Sequence, residues 1–444
     1  MRMLAALGAV LVASVAAGLA LHPPVAASLG SVARANVFVA VLAMAGAAYL
    51  GAVAAVLRRP LPHGAVWLVL GVALAMRLAV LAAPPFLSSD VYRYVWDGRM
   101  QDAGIDPYRF VPADPALARY RDAAIYPNIN RAATARTIYP PFAEAVFAAV
   151  ARASPTVLAM KAAMIGFELA AMAALVGLLD VARLPRARVL IYAWNPLAVW
   201  TLGGNGHVDA IVVGMVALAL LTAALRRPAL AGVLLGGAVL AKFLPAAIAP
   251  ALWRRWDWRL PVACAAVIVA LYVPYVVGAH GHVLGYLPGY AAEEGIGRGG
   301  GLWLLAGLAE FGPLPRAAVP VYGAVAAVVL LVLAVRAALA RRSADPARDA
   351  VRMARDAAIL AAATIVAISP HYPWYFVWLA VPCCLCPLRS VVWLSVAPLL
   401  LYLDPLHERF VWPALLYGPA IVLAVVDART TLRAPAPAAV GRSA

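Results

Sequence analysis

The amino-acid sequence predicts an all-α, polytopic membrane protein with roughly 10 to 13 helical spans. Its 444 residues are 65% apolar. Several uncharged or nearly uncharged runs, among them 4–21, 37–57 and 65–83, are about as long as the ~20 apolar residues needed to cross a bilayer core. The 35 prolines predict that several of these spans are shortened or broken.

The net charge of +16 comes from Lys and Arg residues that fall in short clusters between the apolar runs. This distribution follows the positive-inside rule, so the charge sets the orientation and does not indicate a nucleic-acid partner. With these clusters in the cytoplasm, an inner-membrane protein places its N-terminus inside and residues 88–99 outside. The clusters are 58–60, 183–188, 226–228, 254–259 and 336–355.

Residues 1–84 are predicted to form the N-terminal spans. The first apolar run is followed by HPPVAAS at 22–28, whose small residues fit a signal-peptide cleavage site. An uncleaved anchor is preferred, because a second span follows at once.

Residues 85–141 are predicted to form an extracytoplasmic loop with interfacial helices. This segment is the longest polar stretch, and its many Tyr, Ile and Pro residues indicate order. The remainder divides into a helical membrane domain at 142–430 and a disordered cytoplasmic tail at 431–444, rich in Ala and Pro. No internal repeat is visible.

The stretch SSDVYRYVWDGR at 88–99 predicts a helix at the membrane surface. Asp90 would lie in its first turn, where the helix dipole favours an ionised carboxylate that can act as a base. The alternative is an interfacial helix whose charges face water, with Arg93 paired to Asp97. Spacings of three and four residues bring several polar side chains onto one face, namely Asp90, Arg93, Tyr94, Asp97 and Gln101.

Two Pro-containing motifs, GIDPY at 104–108 and TIYPP at 137–141, predict turns. Each places an aromatic residue beside Pro, and Tyr139 belongs to the second. Such turns would fold the loop back over the bilayer. They favour a structural role for the two motifs over a catalytic one.

The stretch WNPLAVWTLGGNGHVDA at 194–210 predicts a Gly-rich turn that opens onto a helix carrying His207 and Asp209, with Asn205 as N-cap. Backbone N–H groups at such a helix start suit a phosphate. His207 and Asp209 do not share a helix face, so a metal pair is not expected. The alternative is that Asn205 and Asp209 only cap the helix.

Lys242 and His371 are ionisable residues in apolar surroundings, which makes them functional candidates that could hold a lipid phosphate. Alternatively, Lys242 snorkels to the interface and His371 sits in an aromatic belt with Tyr375. The Gly-rich stretch 279–301, which contains Arg298, is expected to be mobile and able to close over a substrate.

Taken together, SSDVYRYVWDGR, GIDPY, TIYPP, the HVD helix start and SPHYPWY resemble the GT-C superfamily of membrane glycosyltransferases. The closest likeness is to the polyprenyl-phosphate-mannose-dependent mannosyltransferases of glycosyltransferase family 87 and their relatives. The pattern covers residues 88 to 378.

The resemblance implies transfer of a hexose, with mannose as the favoured sugar, from a polyprenyl-phosphate donor to a lipid or glycan acceptor on the extracytoplasmic face. It assigns Asp90 as the general base of a single inverting displacement. The remaining candidates are expected to bind the donor phosphate or the hydroxyls of sugar and acceptor. They are Arg93, Tyr94, Asp97, Tyr139, Asn205, His207, Asp209, Lys242, Arg298, His371 and Tyr375.

No cofactor is expected, and a divalent metal has no support because Val91, and not a second acid, follows Asp90. The expected partners are a lipid-linked donor, an acceptor and the membrane, with the oligomeric state left open. The rival class is a secondary transporter or flippase, which predicts inverted repeats and a polar site near the midplane. A structural membrane subunit leaves the many outer Asp, His and Arg residues unexplained.

Overall fold

The computed structural model describes residues 1–21, 31–279, 283–403 and 411–433. Within these ranges the chain forms helices joined by turns, without a strand, so the predicted all-α fold is confirmed. The α-helices are α1 Arg2–Ala20, α2 Ser31–Arg58, α3 Ala65–Leu81, α4 Asp90–Asp102, α5 Pro141–Ala153, α6 Val157–Val181, α7 Leu190–Ala193, α8 Pro196–Ala198, α9 Asp209–Ala224, α10 Pro228–Val239, α11 Ala249–Leu252, α12 Arg259–Gly278, α13 Leu287–Glu293, α14 Trp303–Ala309, α15 Ala318–Leu339, α16 Pro346–Ile368, α17 Ala380–Cys383, α18 Arg389–Leu394 and α19 Val411–Arg433.

One π-helix and several 3-10 helices join these α-helices. A π-helix spans Val199–Gly204 between α8 and α9. The 3-10 helices are Pro115–Tyr120, Tyr126–Asn128, Arg186–Val189, Leu244–Ile248, Ile296–Arg298, Pro373–Leu379 and Ala397–Leu403.

Five helices of the described ranges are long and apolar enough to cross a bilayer, and six if α8–π-helix and α9 count as one bent span. These are α1, most of α2, α6, α12 and α15. The number is below the 10 to 13 spans expected, and other apolar helices, such as α3 with 17 residues and α10 with 12, are shorter. Almost none of α12 and α15 is buried, which is what a lipid-facing helix requires.

The core contains a fully buried ion pair that the apolar pattern did not reveal. Arg77 on α3 donates from Nη2 to Oε1 of Glu168 on α6 across 2.8 Å, and both side chains are inaccessible to solvent. The hydroxyl of Tyr192 on α7 donates to the same oxygen at 2.9 Å. A buried charge needs such a partner, so this cluster fixes α3, α6 and α7 relative to one another.

Helix α4 is enclosed by other parts of the protein. Its residues Val95 and Trp96 are 0% and 2% exposed. Gly98 permits the close packing of α4 on α5, since a Cβ there would lie 2.3 Å from the carbonyl oxygen of Phe147. The segment after α4 folds back over this helix, with Tyr126 against Trp96.

The chain bends by 119° between the π-helix and α9. Gly206 makes the bend possible: its φ is +69°, and an added Cβ would lie 2.9 Å from Lys161. His207 precedes α9 and is not part of it, and Val208 occupies the N-cap. Asn205 is therefore not the N-cap that the sequence predicted. Its Oδ1 accepts instead from the backbone N–H groups of Phe86 and Leu87.

Some sequence expectations fall on residues outside the described ranges. These are the possible cleavage region 22–28, His280 and His282, the segment 404–410 and the tail beyond Arg433.

Candidate active site

A cavity of about 340 Å³ lies where α4 begins, and chain segments distant in sequence form its wall. Their side chains are aromatic, basic or acidic, which suits a polar ligand with flat apolar faces. The wall comes from residues 87–94, 130–140, 208–209, 241–242, 286–290 and 372–375.

Asp90, the first residue of α4, places its carboxylate in this cavity. Its Oδ1 accepts a 2.8 Å hydrogen bond from Asn130. Its Oδ2 lies 3.7 Å from Nδ1 of His207, which is beyond hydrogen-bond distance. One carboxylate oxygen is thus held in place while the other remains available to a ligand.

Burial raises the pKa of the Asp90 carboxyl above its ordinary value. The hydrogen bond from Asn130 and the charges of Lys242 and Arg131 oppose this effect only in part. The position of Asp90 in the first turn of a helix predicts the opposite direction, because the helix dipole favours the ionised form. A carboxylate with a raised pKa is a stronger proton acceptor, provided that it is ionised at the working pH.

Lys242 lies in the cavity wall opposite the start of α9 and is held by two groups. Its Nζ donates to Oδ1 of Asp209 at 2.7 Å and sits 3.3 Å from the ring centroid of Tyr375. The lysine is therefore fixed within the site, which contradicts the alternative of snorkelling to the interface. Two of its three N–H groups remain for a ligand after the bond to Asp209.

Buried polar atoms without partners lie beside the cavity. His207 is 1% exposed and stacks on Trp374 with a centroid distance of 3.9 Å. Among the described residues, neither of its ring nitrogens has a hydrogen-bond partner, and Oδ2 of Asp209 also has none. Unsatisfied buried polar atoms are rare in native proteins, so these atoms are candidates for contact with a ligand.

Arginines outnumber other cations around the cavity, and they differ in how firmly they are paired. Arg93 is bound by Asp97 through its Nε at 2.7 and 2.8 Å, and Arg131 pairs with Glu293 at 2.8 Å. Arg136 lines the cavity without an ion pair to a described carboxylate. The sequence analysis missed Arg131 and Arg136, although their place between the DPY and YPP motifs was a usable signal.

A buried polar network stands behind α4. Glu144 on α5 accepts from Thr137 at 2.6 Å and from Gln101 at 2.7 Å. Burial and the nearby Asp97 raise the pKa of Glu144 well above its ordinary value. Asp97 is 1% exposed and belongs to this network. Its pair with Arg93 is therefore buried and does not face water as the alternative reading had it.

The stretch 283–301 forms part of the cavity wall. Tyr286 and Tyr290 line the cavity, and the hydroxyl of Tyr375 donates to that of Tyr290 at 3.2 Å. Glu294 binds Nδ1 of His371 at 3.0 Å. This stretch thus lies over the site, where the ion pair of Glu293 with Arg131 and the contact of Glu294 with His371 hold it.

The structure brings seven of the twelve predicted site residues into the cavity wall: Asp90, Arg93, Tyr94, Tyr139, Asp209, Lys242 and Tyr375. Asp97 and His207 lie directly behind that wall. Asn205 is tied to backbone, His371 to Glu294, and Arg298 is exposed outside the cavity. Within the described ranges, no group of three His, Cys, Asp or Glu residues is arranged to hold a metal.

The family described as Alpha-(1->6)-mannopyranosyltransferase, N-terminal domain, matches residues 2–256 of the chain. The match includes α4, the bend before α9 and Lys242. Comparisons with curated proteins and with solved structures gave no match.

Proposed function

Because this membrane protein belongs to the alpha-(1->6)-mannopyranosyltransferase family, we propose that it transfers mannose from a polyprenyl-phosphate donor to a lipid or glycan acceptor on the extracytoplasmic face. Mannosyltransferase activity follows from the family, as the sequence resemblance predicted. The lipid donor is inferred from the all-helical architecture of the described ranges, which offers no sheet of the kind that binds nucleotide sugars. The family also favours an enzyme over a transporter or flippase.

The observation that carries the proposal is the carboxylate of Asp90, with one oxygen fixed by Asn130 and the other open to the cavity. In the proposed step, Oδ2 takes the proton of the acceptor hydroxyl as that oxygen attacks the anomeric carbon. The bond from this carbon to the donor phosphate breaks, and its electron pair leaves with the polyprenyl phosphate. A single displacement of this kind inverts the anomeric configuration.

Cations on the cavity wall are proposed to hold the departing phosphate, since negative charge grows there in the transition state. Lys242 keeps two N–H groups after its bond to Asp209, and Arg136 forms no ion pair with a carboxylate of the described ranges. Arg131 is shared with Glu293. His371 and Arg298, which the sequence also suggested for this role, lie outside the cavity wall, so they are weaker candidates.

A sugar or acceptor hydroxyl is proposed to bind Oδ2 of Asp209, a residue of the cavity wall, with His207 directly behind it. Trp374 and Tyr372 stack on each other at a centroid distance of 4.8 Å and offer flat surfaces for a pyranose ring. These contacts would orient the acceptor toward Asp90.

The proposal is tested by incubating the purified protein with membrane lipids and radiolabelled mannose on either a polyprenyl phosphate or a nucleoside diphosphate. Label should enter the acceptor fraction only from the polyprenyl phosphate. Transfer from the nucleotide sugar alone would overturn the lipid donor. Failure with both donors would overturn the enzymatic assignment.

The orientation predicts that a cysteine introduced at Ala118 reacts with an impermeant thiol reagent in intact cells. Ala118 is exposed in the 85–141 segment, which basic clusters at 58–60 and 183–188 bracket. A cysteine at the exposed Ala344, beside the 336–355 cluster, should react only after permeabilisation. The reverse pattern would place the cavity on the cytoplasmic side.

The pH dependence of transfer tests the environment of Asp90. Transfer should fall as the pH decreases through the raised pKa of Asp90, because the protonated carboxyl cannot act as a base. The hydrogen bond from Asn130 lowers this pKa, so Asn130→Ala should move the acid limb of the rate profile to higher pH. Asn128→Ala removes an exposed amide bonded only to Ala124 and should leave the limb in place. Equal profiles for all three proteins would separate Asp90 from the proton transfer.

A further inference from the structure

A second cavity, of about 910 Å³, lies between α15, α16 and α19, apart from the transfer site. Four arginines and one aspartate carry its charge, so its wall is strongly basic. These residues are Arg336, Arg348, Arg352, Arg355 and Asp356.

Helical spacing explains why the basic residues meet there. Arg348, Arg352, Arg355 and Ile359 follow one another at intervals of four, three and four residues along α16, which puts them on one face. Arg336, in the last turn of α15, faces them across the cavity. A positive-inside bias alone requires charge on this side of the membrane, but it does not require arginines from two helices to converge on one groove.

The arginines of this groove form few close ion pairs with carboxylates of the described ranges. Arg348 lies 3.8 Å from Asp345, and Arg352 donates to the backbone carbonyl of Arg341 at 2.8 Å. Arg336 and Arg355 form no ion pair within 4.0 Å of a carboxylate in the part of the chain that the structure describes. Their guanidinium groups are available to an external anion.

The rest of the groove is apolar and continues onto a lipid-facing surface. Leu333 and Leu360 line it, and the neighbouring side chains of Leu331 and Val332 on α15 are 63% and 52% exposed. A ligand that fills this groove would therefore carry an anionic head and one or more hydrocarbon chains.

The groove lies at the opposite end of α16 from the transfer site. Its arginines occupy the N-terminal half of α16, whereas Tyr372 and Trp374 of the transfer cavity follow its C-terminus. A helix of 23 residues is about 34 Å long, which is close to the thickness of a bilayer core. The two cavities therefore lie at opposite ends of α16, about the thickness of a bilayer core apart.

We propose that this groove binds an anionic phospholipid of the leaflet opposite the transfer site. The phosphate would accept charge-assisted hydrogen bonds from Arg336 and Arg355, with Arg352 beside them. The acyl chains would lie along the exposed face of α15. Basic pockets between spanning helices are well suited to such head groups. The site is independent of the donor and acceptor of the mannosyl transfer.

The test measures the melting temperature of the detergent-solubilised protein during titration with dioctanoyl phosphatidylglycerol, dioctanoyl phosphatidylcholine or inorganic phosphate. A saturable rise is expected with phosphatidylglycerol alone, because a ligand that binds the native state stabilises it. An equal rise with phosphatidylcholine would overturn the charge selectivity. An equal rise with inorganic phosphate would show that the groove binds phosphate itself, which would overturn the proposed lipid site.

Two pairs of substitutions test whether the rise in melting temperature comes from lipid bound in this groove. Arg336→Gln with Arg355→Gln should abolish the rise, and native mass spectrometry should show loss of the bound phosphatidylglycerol even if the variant melts earlier. Arg58→Gln with Arg59→Gln removes the same charge from an exposed cluster outside the groove, so it should retain both the rise and the bound lipid. Equal loss in the two pairs, or retained lipid in the groove variant, would overturn the site.

Discussion

Asp90→Asn is expected to lower the rate of mannosyl transfer by about 10² to 10⁴, the usual contribution of a general base. The substitution keeps the size of the side chain and its place at the start of α4, where Asn is well tolerated. It removes the basic oxygen that faces the cavity. The rate should be measured with saturating donor, so that the chemical step is compared and not the binding.

Folding and donor binding should survive in this variant. The amide oxygen can still accept the hydrogen bond that Asn130 donates, and the phosphate contacts lie on other chain segments. A variant that transfers mannose at a near-normal rate would remove Asp90 from the base role. A variant that no longer binds the donor would make Asp90 a binding residue.

Lys242→Met is expected to weaken donor binding by about 1.5 to 3 kcal/mol, the range for a hydrogen bond to a charged group. This corresponds to a loss of affinity of about 10- to 150-fold. Met keeps the length of the side chain while removing the charge that faces the cavity. Equilibrium binding of a labelled polyprenyl-phosphate mannose measures the effect.

The pair with Asp209 requires a control, because Lys242→Met leaves a carboxylate that is 1% exposed without its partner. The double variant Lys242→Met with Asp209→Asn removes this charge and should recover stability, yet it should still bind the donor weakly. Recovery of donor affinity in the double variant would show that Lys242 acts only by neutralising Asp209. His371→Ala, outside the cavity wall, should affect donor binding less than Lys242→Met.

The fold class and the main part of the site could be predicted because they depend on local patterns. Long apolar runs predict helices in a membrane, and the spacing of three and four residues predicted that Asp90, Arg93 and Tyr94 share a face of α4. All three line the cavity. The position of Lys242 in apolar surroundings made it a candidate, and its side chain lines the cavity.

Other parts of the site depend on tertiary contacts, which a sequence pattern does not contain. The burial of α4 depends on its contacts with α5 and with the segment that folds back over it, which no local pattern shows. Arg131 and Arg136 lie in an irregular stretch, where no periodicity indicates direction. The stacking of Trp374 on His207 joins residues that are far apart in the sequence.

Two of the candidate residues have partners within the protein that the sequence did not reveal. Asn205 accepts from backbone N–H groups of the segment that leads into α4. Nδ1 of His371 lies 3.0 Å from Oε2 of Glu294, a contact that joins the 283–301 stretch to the end of α16. Buried and half-buried polar groups generally have such partners.

The most direct test of the account compares transfer by Asp90→Asn and Asp97→Asn at saturating polyprenyl-phosphate mannose, per mole of folded protein. Asp97 lies in the buried pair with Arg93, where an Asn can still accept a hydrogen bond, so its loss should affect stability more than the chemical step. The account predicts that transfer collapses in Asp90→Asn and remains substantially higher in Asp97→Asn. Near-normal transfer by Asp90→Asn, or a larger loss in Asp97→Asn, would contradict it.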